Sequence, residues 1–371
     1  MDERPVRGPA GRRKRVIRVV QVAISLAVVL GIFVGIIPKI ASYSEVWKSL
    51  GELTWLELAT VLAATAFNLW TYWLQMVAAM PGLKVSQAAV NNQSSTTVAN
   101  LFPGGGAIAV GVAYGMFRSW GFSTNDIALM VAVTGVWNTF LKLALPVAAL
   151  GLVAVTGGGS TLLVPALIGL AVLVGAVGVF AAMLWKKEMA RAVGARLGRI
   201  WSWVRRLFRK PPVTSWGDGA VRFRTQTIGL VRRRWLSITL TTLVSHLALY
   251  LVLLLALRHI GVSEAEISWA QVLGVFAFVR LISAVPITPG GLGLVELGYI
   301  GGLVLAGRGH ADVPLAVFEA QVAAAVLLFR ALTYGIQIPL GGLTYLIWQR
   351  KKSWRKGVPA EPVSAPAPIG A

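Results

Sequence analysis

The sequence predicts an all-α polytopic membrane protein, with about six full spans and two broken or re-entrant helix pairs. That makes up to eight or more membrane segments, arranged as an inverted repeat. Three observations carry the prediction. Of the 371 residues, 56% are hydrophobic and only 13% charged, about half the charged fraction usual in soluble domains. Several apolar stretches exceed the roughly 20 residues that cross a bilayer. The basic residues are clustered: seven lie in 1–18, fourteen in 186–234 and five in 350–356, most of the 35 in the chain. Each cluster flanks an apolar run, so membrane topology explains the net charge of +21 better than nucleic acid does.

Along the chain, a basic cytoplasmic N-terminus (1–15) precedes a first span at 16–38. That span is long for a signal-peptide core and lacks a small-residue cleavage site after it. A short connector over 39–54 leads to a span at 55–80. Residues 86–120 hold the polar run NNQSSTTVAN and then PGGG, between two apolar arms. Spans at 126–156 and 161–185 follow. The segment 186–234 is basic, and its 186–210 part has apolar residues at helical spacing, including Val193, Leu197, Ile200 and Trp201. This reads as an amphipathic helix in contact with an anionic leaflet. A span at 235–260, a second interrupted pair at 266–306 and a last span at 312–337 complete the membrane part. The tail over 351–371 is basic, then rich in Pro and Ala, and reads as disordered. This order places all three basic clusters on one side of the membrane. The expectation is a bacterial or archaeal cytoplasmic membrane protein with both termini cytoplasmic.

The repeat lies in the two interruptions. Pro103-Gly104-Gly105 precedes Pro289-Gly290-Gly291 by 186 residues, and each proline is followed 23 residues later by an aspartate, Asp126 or Asp312. The units at about 55–156 and 235–337 each read span, broken hairpin, span, in opposite orientations. In such transporters the substrate meets broken helices near the midplane.

The absence of cysteine removes disulfides, thiol nucleophiles and Cys-based metal sites, and the three histidines are scattered. No metal site, cofactor or nucleotide-binding motif is expected, and no catalytic motif stands out. The candidate site is PITPGGLGLVE (286–296). Irregular backbone at membrane depth must be buried or line a cavity. A helix restarting after Pro289, Gly290, Gly291 and Gly293 offers N–H donors to an anion, for which a lipid phosphate is the obvious candidate. Ionisable groups inside spans usually mark function. Glu296 and Arg280 flank the break, as a gate, as a phosphate ligand (Arg280) beside a carboxylate that meets a cationic headgroup or a proton, or as a structural ion pair or snorkelling groups. Arg330 and Lys142 are candidate phosphate ligands, Arg330 equally a residue that snorkels to the interface. If the polar run is helical, Asn92, Thr96 and Asn100 share a face, fit to line a groove or to hydrogen-bond between helices; the alternative is a plain cytoplasmic loop.

SAVPITPGGLGLVELG (283–298), LLFRALTYG (327–335) and NLFPGGGAIAVG (100–111) resemble the flippase-like transmembrane domain of the lysylphosphatidylglycerol synthase/flippase family. Pro286, Pro289, Gly290, Gly291, Gly293, Glu296 and Arg330 match its motif. The likeness covers about residues 16–350 and implies a stand-alone membrane domain without the cytosolic synthase domain. The PGGG of the first half departs from many relatives, which carry charged residues there. The resemblance implies a lipid flippase for an anionic phospholipid or lipid-linked precursor, rather than an enzyme. The alternatives are a membrane-embedded transferase with Glu296 as base, and a scaffold for a separate synthase or glycosyltransferase. Anionic membrane lipids are the expected partners, and nucleic acid is not.

Overall fold

The computed structural model describes residues 42–102, 105–155, 163–207, 216–283 and 288–351, together with Val34 and Trp354. The expected first span (16–38), Pro103, Gly104 and most of the 351–371 tail lie outside the described residues. The described residues form twelve helices in order: α1 (Tyr43–Gly51), α2 (Trp55–Ala79), α3 (Val85–Leu101), α4 (Gly105–Ser119), α5 (Thr124–Val155), α6 (Leu163–Trp185), α7 (Lys187–Leu207), α8 (Trp216–Ile260), α9 (Trp269–Ile282), α10 (Leu294–Gly307), α11 (Leu315–Arg330) and α12 (Gln337–Arg350). No strand occurs among the described residues. Among the described residues, four runs are long and apolar enough to cross a membrane: α5, α6, α8, and α11 with α12. A fifth arises if α1 and α2, bent by 96° at their junction, are taken together. The chain is an all-α polytopic membrane protein.

Several expected boundaries move. The connector at 39–54 contains a helix, α1. The last span does not stop near 337: it runs from Leu315 to Arg350, with a π-helical turn at Ala331–Gly335. The span at 235–260 is the inner part of the 45-residue α8. At 1.5 Å per residue α8 is about 68 Å long, more than twice the roughly 30 Å hydrocarbon core. The helix as a whole is therefore too long to lie along the membrane normal within the hydrocarbon. Asp126 caps α5 reciprocally with Ser123, whose hydroxyl donates to its carboxylate at 2.6 Å. Asp312 precedes Pro314 and the start of α11 and takes no such part, so the two aspartates are not structural equivalents.

The chain forms two compact units, residues 1–69, 86–122 and 247–371 in the first and 70–85 and 123–246 in the second. Both interrupted hairpins fall in the first unit, so this division cuts across the sequence repeat.

In the first unit, α9 and α10 pack closely because glycines face valines. A Cβ on Gly298 would sit 3.2 Å from Val279, and one on Gly302 2.7 Å from Val275. This small-residue spacing of four lets helices approach without a hydrophobic drive from lipid. Tyr299 stacks on Phe276 and meets the edge of Phe329, tying α10 to α9 and α11. Ser268 and Gln271 cap α9 reciprocally. The polar run proves to be the buried helix α3, not a loop. Its buried polar residues are Asn91, Gln93, Ser94 and Thr97, rather than the face of Asn92 and Thr96. Thr97 Oγ1 donates to the Gln337 carbonyl at 2.7 Å, and Ser94 Oγ lies 3.0 Å from Thr344 Oγ1. Gly341 makes this crossing possible: a Cβ there would lie 1.9 Å from Thr97 Oγ1 and 2.2 Å from the Gln93 carbonyl.

In the second unit, Ala78, Val133, Leu230 and Ile238 form a buried cluster with Trp137 against it. Trp137 donates to Thr239 at 2.9 Å and Gln75 to Thr242 at 2.7 Å. His246 is fully buried, with Nδ1 3.1 Å from the Thr242 carbonyl. The amphipathic α7 exists, but part of its surface is taken by α8. Gly194 packs against Trp216 and Ala220, and Trp201 stacks on Trp216. The Arg191–Asp218 pair beside it is exposed and adds little.

Gly341→Val is expected to lower stability by about 1–3 kcal/mol through overpacking. Gly342→Val, which meets nothing within 4 Å, is the matched control. Thermal midpoints in detergent, followed by tryptophan fluorescence, separate the two.

Candidate functional site

The site grows out of the interruption between α9 and α10. Proline and three glycines give a chain that cannot stay helical. Pro289–Gly291 make one 3₁₀ turn. Gly290, Gly291 and Gly293 adopt φ of +57°, +73° and +85°, backbone that a Cβ disfavours. Thr288 Oγ1 donates to the Leu292 carbonyl at 2.9 Å and closes the loop. Gly290 has a second reason to lack a side chain. A Cβ there would fall 2.3 Å from the Tyr334 ring and 2.8 Å from Asn100 Oδ1.

α10 restarts at Leu294, and Glu296 lies in its first turn. Its carboxylate folds back on the helix start, where Oε2 accepts the Gly293 N–H at 2.6 Å. Oε1 accepts from Arg330 Nε at 2.5 Å. The Glu296 side chain is 1% exposed and that of Arg330 14%. Arg330 Nη2 also reaches the Gly290 carbonyl at 3.3 Å. Its guanidinium lies over the Tyr334 ring, 4.6 Å from the centroid. Tyr334 then donates to the Asn100 carbonyl at 3.0 Å, at the C-terminal end of α3.

Three elements therefore meet at one point: the glycine loop with the start of α10, the junction of α11 with the π-turn, and the end of α3. Arg330 sits immediately before the π-turn, a feature frequent at functional sites. The N-terminus of a helix and a guanidinium both favour an anion, and here the protein's own carboxylate fills that place. The described residues hold no cluster of three or more side chains suited to a metal ion.

Of the candidates, Pro289, Gly290, Gly291, Gly293, Glu296 and Arg330 come together. Arg330 faces inward in an ion pair and does not snorkel. Arg280 is not the partner of Glu296. It lies in the last turn of α9, and its Nε is buried without a hydrogen-bond partner among the described residues. Lys142 is half-buried on α5 in the second unit. Gly105 opens α4 and packs on α3, its Cβ position 2.4 Å from the Val98 carbonyl. Tyr334 escaped the sequence reading. Its signal was present in LLFRALTYG, where it stands four residues after Arg330, one helical turn away.

Fold and site together define an integral membrane protein in which a broken helix is capped by a buried ion pair. The family model for the lysylphosphatidylglycerol synthase TM region matches residues 19–341, nearly the whole chain. The chain belongs to that family, as its motifs anticipate, and the family ties it to membrane lipids. A comparison with curated proteins finds no match.

Removing one partner of a buried pair typically costs about 3–5 kcal/mol, because the other charge is left uncompensated. Arg330→Met is therefore expected to lower the thermal midpoint strongly. Adding Glu296→Gln, which keeps an acceptor for the Gly293 N–H, should restore most of the loss. Additive losses in the double variant would contradict the coupling.

Proposed function

We propose that the chain translocates an anionic phospholipid, or a lipid-linked precursor, between the leaflets of the cytoplasmic membrane, with both termini on the cytoplasmic side. The family supports a role with membrane lipids. The observation that carries the reading further is the Glu296 carboxylate, held by a helix start and a guanidinium at the broken helix. Those two partners are the ones a lipid phosphate would use. Exchange of carboxylate for phosphate at Arg330 keeps its charge compensated throughout, which avoids the cost of a bare buried cation. The released Glu296 takes a proton or meets a cationic headgroup. Arg280 and Lys142 are further phosphate candidates. Pro289, Gly290, Gly291 and Gly293 shape the irregular backbone that lets a headgroup approach. The sequence carries no nucleotide-binding motif, so movement is downhill, ion-coupled or assisted by a partner.

A scaffold role for a separate lipid-modifying synthase has one observation of its own. The amphipathic α7, packed on the start of α8, exposes Trp203 at 71% and Ile200 at 61% among arginines.

The test is leaflet-resolved movement of labelled phosphatidylglycerol, aminoacylated phosphatidylglycerol and a polyprenyl phosphate in vesicles containing the purified protein. One lipid should move faster than in empty vesicles. Glu296→Gln should slow it at least about tenfold per folded molecule, a barrier change of roughly 1.4 kcal/mol or more, alongside a lowered thermal midpoint from the uncompensated Arg330. Full transport in that variant sinks the assigned role of Glu296. No movement of any lipid by folded protein shifts the reading to the scaffold.

A further inference from the structure

A lipid whose headgroup engages Arg330 must also place its hydrocarbon. On the adjoining face of the same helix lies an apolar cavity of about 560 Å³, lined in part by Trp47, Leu50, Trp55, Leu327, Leu328 and Ala331. At about 100° per residue, Leu327, Leu328 and Ala331 share one face of the helix, while Arg330 and Tyr334 occupy the next. Ala331 belongs to both: it lines the cavity and begins the π-turn that sets Tyr334 under the guanidinium.

We propose that this cavity holds one hydrocarbon chain of the lipid whose anionic headgroup engages Arg330, an inference that rests on the headgroup reading above. The wall chemistry selects the occupant. Apart from its two indoles, the described lining offers no polar side chain, so a phosphate, a sugar or a peptide backbone would find no side-chain partner there. A hydrocarbon chain has no polar group to satisfy. The volume falls within the roughly 300–1,000 Å³ of small-molecule sites. A docked helix, about 10–12 Å across with its side chains, would need a longer groove. The position agrees. Trp47 and Trp55 are 72% and 85% exposed and flank the 96° bend between α1 and α2. Exposed indoles at such a bend suit the membrane–water boundary, the level at which a chain leaves its own headgroup. The cavity and the ion pair are thus neighbouring compartments of opposite chemistry, as the two ends of a lipid require.

The experiment uses the full chain in vesicles with a trace of phosphatidylglycerol carrying a diazirine in one acyl chain. A parallel sample carries the same chain on diacylglycerol, which lacks the phosphate. After illumination, mass spectrometry locates the adducts. Phosphatidylglycerol should label the stretches 46–58 and 327–331. Leu50→Trp and Leu328→Trp, which fill the cavity from opposite walls, should each lower that labelling about tenfold, an affinity loss of roughly 1.4 kcal/mol. Labelling of the lipid-facing α6 should persist and so report that each variant is folded. In the Glu296→Gln/Arg330→Met double variant, phosphatidylglycerol should fall to the level of diacylglycerol. Adducts confined to α6 or other outer surfaces, or unchanged by both fillings, overturn the chain site; so does an unlabelled cavity, as when another segment of this chain occupies it. Equal cavity labelling by both lipids, indifferent to the double variant, removes the Arg330 headgroup reading and with it the link proposed here. Arg330-dependent labelling by phosphatidylglycerol outside the cavity does the reverse.

Discussion

In hydrocarbon a freed backbone N–H or C=O finds no water, so every break in a membrane helix must be repaired by the protein. The structure of the first unit turns on one such repair. Glu296 satisfies the Gly293 N–H at the start of α10, and Arg330 satisfies both Glu296 and the Gly290 carbonyl. A carboxylate alone could close the helix start, but buried and unpaired it would be too costly to stay charged. The arginine removes that penalty and in doing so joins α10 to the last membrane run. Tyr334 extends the link to α3 through Asn100. A local problem of backbone chemistry is thereby solved by three elements distant in sequence.

The same logic explains why so polar a helix as α3 is buried. Its serine and threonine hydroxyls donate to, or lie against, groups of α12, where Pro339 removes a donor and the π-turn disturbs the regular ladder. Hydroxyls that would be neutral on a surface become interhelical contacts when lipid excludes water. Glycines at 290, 298, 302 and 341 serve the same end by admitting a neighbour where a side chain would exclude it.

A repaired break is also a place that can be unmade. The groups that close it, a helix start and a guanidinium, are ordinary phosphate ligands, so the closed state and a lipid-bound state would differ by an exchange of anions rather than by exposure of a bare charge. Phe276, Tyr299 and Phe329 pack against one another and tie together α9, α10 and α11, the last two of which carry the pair.

Much of this was legible in the residues alone. Apolar runs and clustered basic residues determine spans and membrane class, because transfer into lipid depends on composition over a window and not on partners. The motif around Pro289 determines that the helix breaks and that Glu296 and the glycines lie beside the break, and the family likeness followed from the same letters. Glu296 and Arg330 were each visible as charges in apolar surroundings. Their union was not, since the nearer Arg280 was an equally reasonable partner until the helices packed. The burial of α3, the place of Tyr334 beneath the guanidinium and the length of α8 were likewise decided by tertiary structure. Each depends on which faces meet across tens or hundreds of residues. Periodicity within a segment shows that a face exists, and only the packed neighbours determine what it touches.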